Sequence, residues 1–328
     1  MKMFEELKKI DIAGTKVDPK HHIYQLEASG EMVRYAEIEG IKAGEEVRIL
    51  HSTDFHLNRM SKRDIEENNP VVASTRIYRE AFRDERTVPN AKRTMEFFPL
   101  FDANIITGDT LDYLTWGSLE LVKECIWDID PNAIVALGGH DTTRRMQGKV
   151  ADETSLESRY EILKEHWRHD LSYVSKVIKD RVMVIALDNG RSGYYGNQAE
   201  RLGADIEKAK REKLTVLIFQ HEPICTKNPD EIYVEPIRIN DGTGCRNFCE
   251  NFIGFESKDP VTDEVYALIT ENADVVKGVF CGHKHSDFYT EICGSYVENG
   301  EKKAKKIPQY VLTGNMYDKG HFLAITIK

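Results

Sequence analysis

The stretch VVKGVFCGHKH, residues 275–285, joins a run of β-branched and aromatic residues to a turn that carries two histidines two positions apart. Its apolar half reads as a buried strand, and Gly282 as the residue that stops it. Working outward, five other stretches repeat the plan: VRILHSTDFH (47–56), NIITGDTLD (104–112), AIVALGGHD (133–141), VMVIALDNG (182–190) and LTVLIFQHEP (214–223). Helical patterns lie between most of them, at 91–101, 118–129, 155–167, 197–213 and 263–272. Alternating strands and helices imply an α/β protein with a largely parallel or mixed sheet flanked by helices. Open sheets of this kind build their sites from loops beyond the carboxyl ends of their strands. Nearly all the metal-friendly residues of the chain fall there.

The ends of the chain read differently. SDFYTEI (286–292), PQYVLTGN (308–315) and HFLAITIK (321–328) carry no helical pattern between them and are expected as consecutive antiparallel strands extending a second sheet. EMVRYAEIE (31–39) and EEVRIL (45–50), joined through GIKAG, read as a hairpin. Residues 1–46 are therefore taken as an N-terminal extension and 47–328 as the main domain. A Pro-, Gly- and Asn-rich insertion at about 224–262 has the length of a functional lid. The basic run EKKAKKIP (301–308) reads as a solvated loop between strands.

At 328 residues and 41% apolar composition, the chain can bury a substantial core. A net charge of −10 argues against a surface that tracks nucleic-acid backbones. No secretory h-region is visible and no stretch approaches the roughly 20 apolar residues that cross a bilayer, so a soluble, cytoplasmic protein is expected. The six cysteines form no CxxC pair and are expected as reduced thiols, Cys245 and Cys249 included.

The strand ends carry the chemistry. Asp54 and His56 stand two apart in an extended run, so both side chains project to one side and can share an ion. Asp109 follows Gly108, where a carboxylate can bridge two cations with its two oxygens, although a Gly-Asp pair alone is an ordinary turn. His283 and His285 repeat the alternate spacing, and His221 ends its strand before Pro223. His140 lies beside Asp141, a neighbour able to orient an imidazole and favour its protonated form, which suits a general acid. Carboxylate and imidazole ligands suit Mn, Fe or Zn, and there are enough for two ions. Arg144 and Arg145 follow closely enough to reach a phosphate, and Tyr194 and Tyr195 are candidates to stack on a ring.

In this order the clusters resemble the calcineurin-like metallophosphoesterase family, whose motifs are DxH, GDxxD, GNH(D/E), a strand-end His, and GHxH. Asp54 to His56 match the first, Gly108 to Asp112 the second, Gly139 to Asp141 most of the third, His221 the fourth, and Gly282 to His285 the fifth. The resemblance spans roughly residues 47 to 327. It implies a four-layer αββα sandwich of two mixed sheets. It implies two divalent or trivalent metal ions, one held by Asp54, His56, Asp109 and His285, the other by Asp109, His221 and His283. It further implies a phosphomonoesterase or phosphodiesterase acting on a small phosphate ester, with a metal-bridging hydroxide as nucleophile and His140 protonating the leaving oxygen.

One position departs from the pattern. The family places a metal-binding Asn where this chain has Gly139, so the second ion is expected to bind more weakly or to use another donor, with Asn189 and Asn315 as conceivable substitutes. The same departure motivates an alternative: a degenerate metal-binding scaffold with little or no catalysis. A DNA-repair nuclease of the same superfamily is disfavoured by the acidic balance.

Overall fold

The runs ending at Asp54, Asp109 and His140 become parallel neighbours: Val47–Ser52 (β3), Ala103–Thr107 (β4) and Ile134–Ala136 (β5). The structure is a computed structural model and describes residues 23–25, 31–67, 84–142, 155–190, 193–224, 234–236, 260–285, 287–316 and 320–328. Two further strands at the start, Ile23–Gln25 (β1) and Met32–Ile38 (β2), and His321–Ile327 (β13) at the end complete a six-stranded sheet in the order β1-β2-β13-β3-β4-β5. A second sheet of seven strands contains Tyr173–Ile178 (β6), Val182–Leu187 (β7), Thr215–Gln220 (β8), Val234–Pro236 (β9), Val276–Cys281 (β10), Phe288–Glu298 (β11) and Glu301–Val311 (β12). Its order is β6-β7-β8-β10-β12-β11-β9, with β7, β8, β10 and β12 parallel.

The sheets stack face to face over Ile49, Ile105, Val184, Leu217, Phe219, Phe280, Tyr310 and Leu323. Phe280 lies between Phe219 and Tyr310, with ring centroids 4.9 and 5.6 Å away and planes tilted by 20° and 10°. Each such aromatic pair contributes about 0.5–1.5 kcal/mol beyond its area burial.

The helices in chain order are Lys62–Glu66 (α1), Asp84–Met95 (α2), Trp116–Val122 (α3), Leu156–His166 (α4), Gln198–Glu212 (α5) and Pro260–Thr270 (α6). Residues of α2, α3 and α4 pack on the outer face of the first sheet through Met95, Leu119, Val122 and Leu163. α5 and α6 cover the second through Leu202, Ile206, Val265 and Ile269. The result is the expected four-layer αββα sandwich.

Two hairpins follow from turn chemistry. Ile178 pairs with Val182 across Lys179, Asp180 and Arg181, the first two at φ 47° and 52°, and Glu298 pairs with Glu301 across Asn299 and Gly300, at φ 52° and 82°. Turns with two successive residues at positive φ match the right-handed twist of the strands they join. The run 301–306 is therefore strand rather than loop, and its residues are exposed because the β11–β12 ribbon projects past the sheet.

Two strand pairings differ from expectation for one reason. β2 and β3 do not pair as a hairpin, and β13 does not follow β12 in the second sheet. β13 instead lies between β2, to which it is parallel, and β3, to which it is antiparallel. Its residues HFLAITI are buried on both faces except Thr326, which calls for a central position. β2, with Arg34 to Glu37 alternating more, suits a place nearer the edge.

The edge strand β5, which leads into the His140 loop, is closed by side chains. The Val135 N–H donates to His169 Nε2 at 2.9 Å, and Trp167 Nε1–H donates to the Val135 carbonyl at 3.1 Å. A covered edge cannot recruit a further strand. Of the 224–262 insertion, only the ends and β9 lie within the described residues.

Candidate metal centre

The carboxyl ends of β3 and β4 from one sheet and of β8 and β10 from the other meet at one end of the sandwich. The Asp54 N–H donates to the Gly108 carbonyl at 3.1 Å, His56 N–H to the Asp109 carbonyl at 2.9 Å, and Gly282 N–H to the His221 carbonyl at 3.0 Å. The two sheets are tied directly where the His283 N–H donates to Asp54 Oδ2 at 3.0 Å.

The backbone at this junction is strained. Asp54, His56, Asp109, His283 and His285 have φ of 50°, 46°, 47°, 69° and 51°. Non-glycine residues in the left-handed region cost of order 1 kcal/mol or more each and persist where the surroundings over-determine them. The other positive-φ non-glycine residues among those described, Lys179, Asp180, Lys213 and Asn299, sit in hairpin turns or at a helix end. Strain is thus concentrated on five of the six residues expected to bind metal.

Gly108 shows how tightly the turn is built. It has φ +76°, and a Cβ there would lie 2.7 Å from Cγ and Nδ1 of His221. A Cβ on Gly138 would lie 2.3 Å from Asp109 Oδ1.

Asp54, His56, Asp109 and His285 each offer one ligand atom, all within 4.8 Å of one another. His285 Nε2 is 3.0 Å and His56 Nε2 3.7 Å from Asp54 Oδ1, and His56 Nε2 is 3.8 Å from Asp109 Oδ2. Asp54 Oδ1 is buried and has no hydrogen-bond donor, whereas Oδ2 accepts from Thr53 Oγ1 at 2.6 Å as well as from His283. A buried carboxylate oxygen without a donor, surrounded by imidazole nitrogens, is what a cation would satisfy. The residues fit a metal ion.

The same Asp109 oxygen that faces His56 also faces the second set: His221 Nε2 lies 3.3 Å from Asp109 Oδ2, and His283 Nδ1 lies 3.2 Å from His221 Nε2. His221 Nδ1–H donates to the Thr107 carbonyl at 2.9 Å, which leaves Nε2 as the ligand atom. His56 is fixed the same way by Asp112, whose Oδ1 lies 3.1 Å from Nδ1.

Electrostatics agree with a cation site. Burial acts against charge on His56, but Asp112 and Asp54 outweigh it and push its pKa up to about 9. Burial likewise opposes charge on Asp109, yet His221 and His140 hold its carboxyl well below the usual range. Burial and the His221 charge press His283 down to about 3, so it stays neutral and able to coordinate.

His140 stands at the rim, its side chain 31% exposed and its ring centroid 4.8 Å from that of His56. Its Nδ1–H donates to the Asp112 carbonyl at 2.8 Å, and its N–H to Asp109 Oδ1 at 2.9 Å. Asp141 does not orient it. The Asp141 carboxylate accepts from the N–H groups of Leu111 and Gly138, each at 2.7 Å, and so braces the two loops that carry Asp109 and His140. Burial, followed by the Asp109 charge, pushes Asp141 up to about 7, and burial lowers the pKa of His140. The expected His140–Asp141 pair is therefore replaced by a His140–Asp112 contact.

Other sequence candidates resolve plainly. Tyr194 is buried, with its hydroxyl donating to Gln220 Oε1 at 2.7 Å, and Tyr195 donates to Asp188 Oδ2 at 2.6 Å, so both serve packing rather than an exposed stacking surface. Asn189 Oδ1 accepts the His221 and Glu222 N–H groups at 3.0 and 2.9 Å, and its Nδ2 donates to the Glu222 carbonyl. Asn315 Nδ2 donates to Thr94 Oγ1 and to the His321 carbonyl. Asn189 thus braces the His221 turn, and Asn315 ties Thr94 to the start of β13. Arg144, Arg145, Cys245 and Cys249 lie outside the described residues. Sequence reasoning gives no individual role to Asp112, Asn58 or Thr53. The signal for Asp112 is a carboxylate three residues beyond Asp109, and Asn58 Nδ2 donates to its Oδ2 at 3.1 Å.

No family model matches the chain, and no curated protein matches it. Its fold is similar to solved structures of phosphatases. A dimetal phosphatase from Danio rerio is 10% identical at TM-score 0.44, covering 85% of this chain and 89% of that one. Purple acid phosphatase PPD1 from yellow lupin is 11% identical at TM-score 0.47, covering 92% of this chain and 50% of that one. PhoD is 9% identical at TM-score 0.40, covering 88% and 60%. No helix among the described residues is long and apolar enough to cross a membrane.

Proposed function

We propose that this chain hydrolyses phosphate esters as a metal-dependent enzyme of the calcineurin-like metallophosphoesterase kind. The observation that carries the reading is the convergence of Asp54, His56, Asp109 and His285 around a buried, donor-less carboxylate oxygen, with His140 at the rim.

Asp54, His56, Asp109 and His285 would hold one ion, and Asp109, His221 and His283 a second, with Asp109 shared. Ions of the Mn, Fe or Zn type supply Lewis acidity toward phosphoryl oxygens and an activated water. Thr53, Asp112 and the Thr107 carbonyl fix the orientation of these ligands before any ion arrives. His140 Nδ1–H is committed to the Asp112 carbonyl, which leaves Nε2 as the atom that would take up a proton from solvent and pass it to a leaving oxygen. The partly exposed side chains of His140 and His285 make the rim accessible to a small phosphate ester.

The test is turnover by Mn²⁺-loaded protein of aryl phosphate monoesters and diesters beside the His140→Ala variant. Turnover that depends on added metal and on His140 supports the reading. Gly139, which has no side chain to coordinate the second ion, favours one competing reading, a metal-binding scaffold. Tight Mn²⁺ binding with negligible turnover by both proteins would establish that alternative.

A further inference from the structure

Three ionisable side chains that take no part in the proposed chemistry are buried together beneath the metal cluster. Arg34 on β2, Asp287 at the start of β11 and His321 at the start of β13 are 0%, 1% and 2% exposed. Asp287 Oδ1 lies 3.7 Å from Arg34 Nη1 and 3.3 Å from His321 Nε2. Arg34 Nη1 also donates to the Val311 carbonyl at 2.9 Å, and its guanidinium lies 5.0 Å from the centroid of the Tyr310 ring. Burying such groups opposes folding unless the geometry holds them well, and an apolar trio of similar volume often serves stability as well or better. Stability alone does not account for them.

Their connections account for them better. Asp287 Oδ1 accepts the Thr313 N–H at 3.2 Å, and Thr313 Oγ1–H donates to the backbone carbonyl of His285 at 2.9 Å. The same segment continues to Asn315, whose N–H donates to the Thr53 carbonyl at 3.0 Å, and Met316, whose N–H donates to the Asp54 carbonyl at 3.2 Å. Residues 313–316 therefore clasp the backbones of His285 and Asp54, two residues held in the left-handed region. The triad anchors that clasp to β2, β11 and β13.

We propose that Asp287, with Arg34 and His321, is a positioning residue for the first metal site, acting through Thr313 on His285 and, through the segment that follows, on Asp54. The proposal rests on the metal-binding reading above. The triad joins β2 and β13 of the first sheet to β11 of the second, so it transmits the register of both sheets to ligands that the cluster draws from both.

The experiment measures Mn²⁺ affinity by calorimetry at a temperature well below unfolding, with the melting temperature recorded for every variant. Asp287→Asn is expected to weaken Mn²⁺ binding about 10–100-fold, the usual effect of removing an outer partner of a ligand. Thr313→Val, which leaves the triad whole, is expected to weaken it about tenfold, and Thr313→Ser to restore it. Ile269→Val in the α6 layer is the control: a lower melting temperature with unchanged Mn²⁺ affinity. If Asp287→Asn does not fold, Thr313→Val decides. Folded Asp287→Asn and Thr313→Val proteins that bind Mn²⁺ like the wild type would overturn the proposal while leaving the metal reading intact. A wild type that binds no Mn²⁺ would overturn both.

Discussion

His140 and Asp112 touch twice: the imidazole Nδ1–H donates to the Asp112 carbonyl at 2.8 Å and lies 3.5 Å from the carboxylate Oδ1, which itself reaches His56 Nδ1 at 3.1 Å. One aspartate thus orients both a candidate metal ligand and the candidate acid. His140→Ala is expected to lower kcat for phosphate-ester hydrolysis by about 10²–10⁴-fold with metal content unchanged. Metal analysis beside steady-state kinetics checks this, and loss of metal together with activity would assign His140 to binding instead.

Gly139 differs from its neighbours in what it could accommodate. A Cβ at Gly138 or Gly190 would come within 2.3–2.4 Å of another atom, whereas at Gly139 it would meet only the Gly190 carbonyl oxygen at 3.1 Å. Gly139→Asn is therefore expected to fold and to bind a second Mn²⁺ about tenfold more tightly, the size of a 1.4 kcal/mol gain. A calorimetric titration with the second step unmoved would count against Asp109, His221 and His283 as an incomplete ligand set.

Gly108→Ala should act in the opposite sense. Its Cβ would press on the His221 ring in a conformation that disfavours side chains, so a loss of about 1–3 kcal/mol from overpacking is expected. Urea unfolding of the metal-free variant measures it, and a cost within error of zero would mean the His221 turn relaxes freely.

Removing metal should release the strained turns. If ions bind the folded state, Mn²⁺ at a hundredfold excess over its Kd raises stability by about 2.7 kcal/mol, and a chelator reverses the gain. A melting temperature indifferent to chelator and to Mn²⁺ would contradict the metal centre itself.

Lys277 supplies a pH test away from the cluster, at the opposite end of β10 from His283. Burial and then the Lys305 ammonium depress its pKa to about 8, against an opposing pull from Asp274 and Glu39. Because the folded value lies below the ordinary 10.5, the penalty of holding the charge is present in full below about pH 8 and fades as pH rises toward 10.5. Lys305→Gln should therefore raise the urea midpoint at pH 7 and much less at pH 10. Equal gains at both values would show that the two ammonium groups do not repel.

Much of this architecture is legible in the amino-acid sequence. The strands of the two sheet centres and the clustered Asp and His side chains at their ends follow from apolar runs that stop at Gly, Asp and His, because period and punctuation are local properties. What is not local is less readable. β13 looks like its predecessors in composition, and only competition for a position buried on both faces sends it into the other sheet. The β6–β7 hairpin turns on Lys179 and Asp180, residues with no strong turn signature, whereas Asn299-Gly300 is a dipeptide that favours such a turn. Asp141 shows the same limit at the site: adjacency in sequence suggests a partner for His140, while the left-handed turns hand that role to Asp112 and leave Asp141 to two backbone amides.

The place of β13 has a consequence for biosynthesis. Met32 pairs with His321 and Ile38 with Ile327, so β2 leaves the ribosome long before the strand that links it to β3. Until then β2 and the open edge of β3 are exposed apolar templates, and the first sheet closes by a contact of very high sequence separation. Asp54, held by the 313–316 segment just upstream of β13, is set in place at that same late step. If the cluster holds an ion, nascent chains halted before β13 would carry Asp54, His56, Asp109 and His285 without the arrangement that binds it.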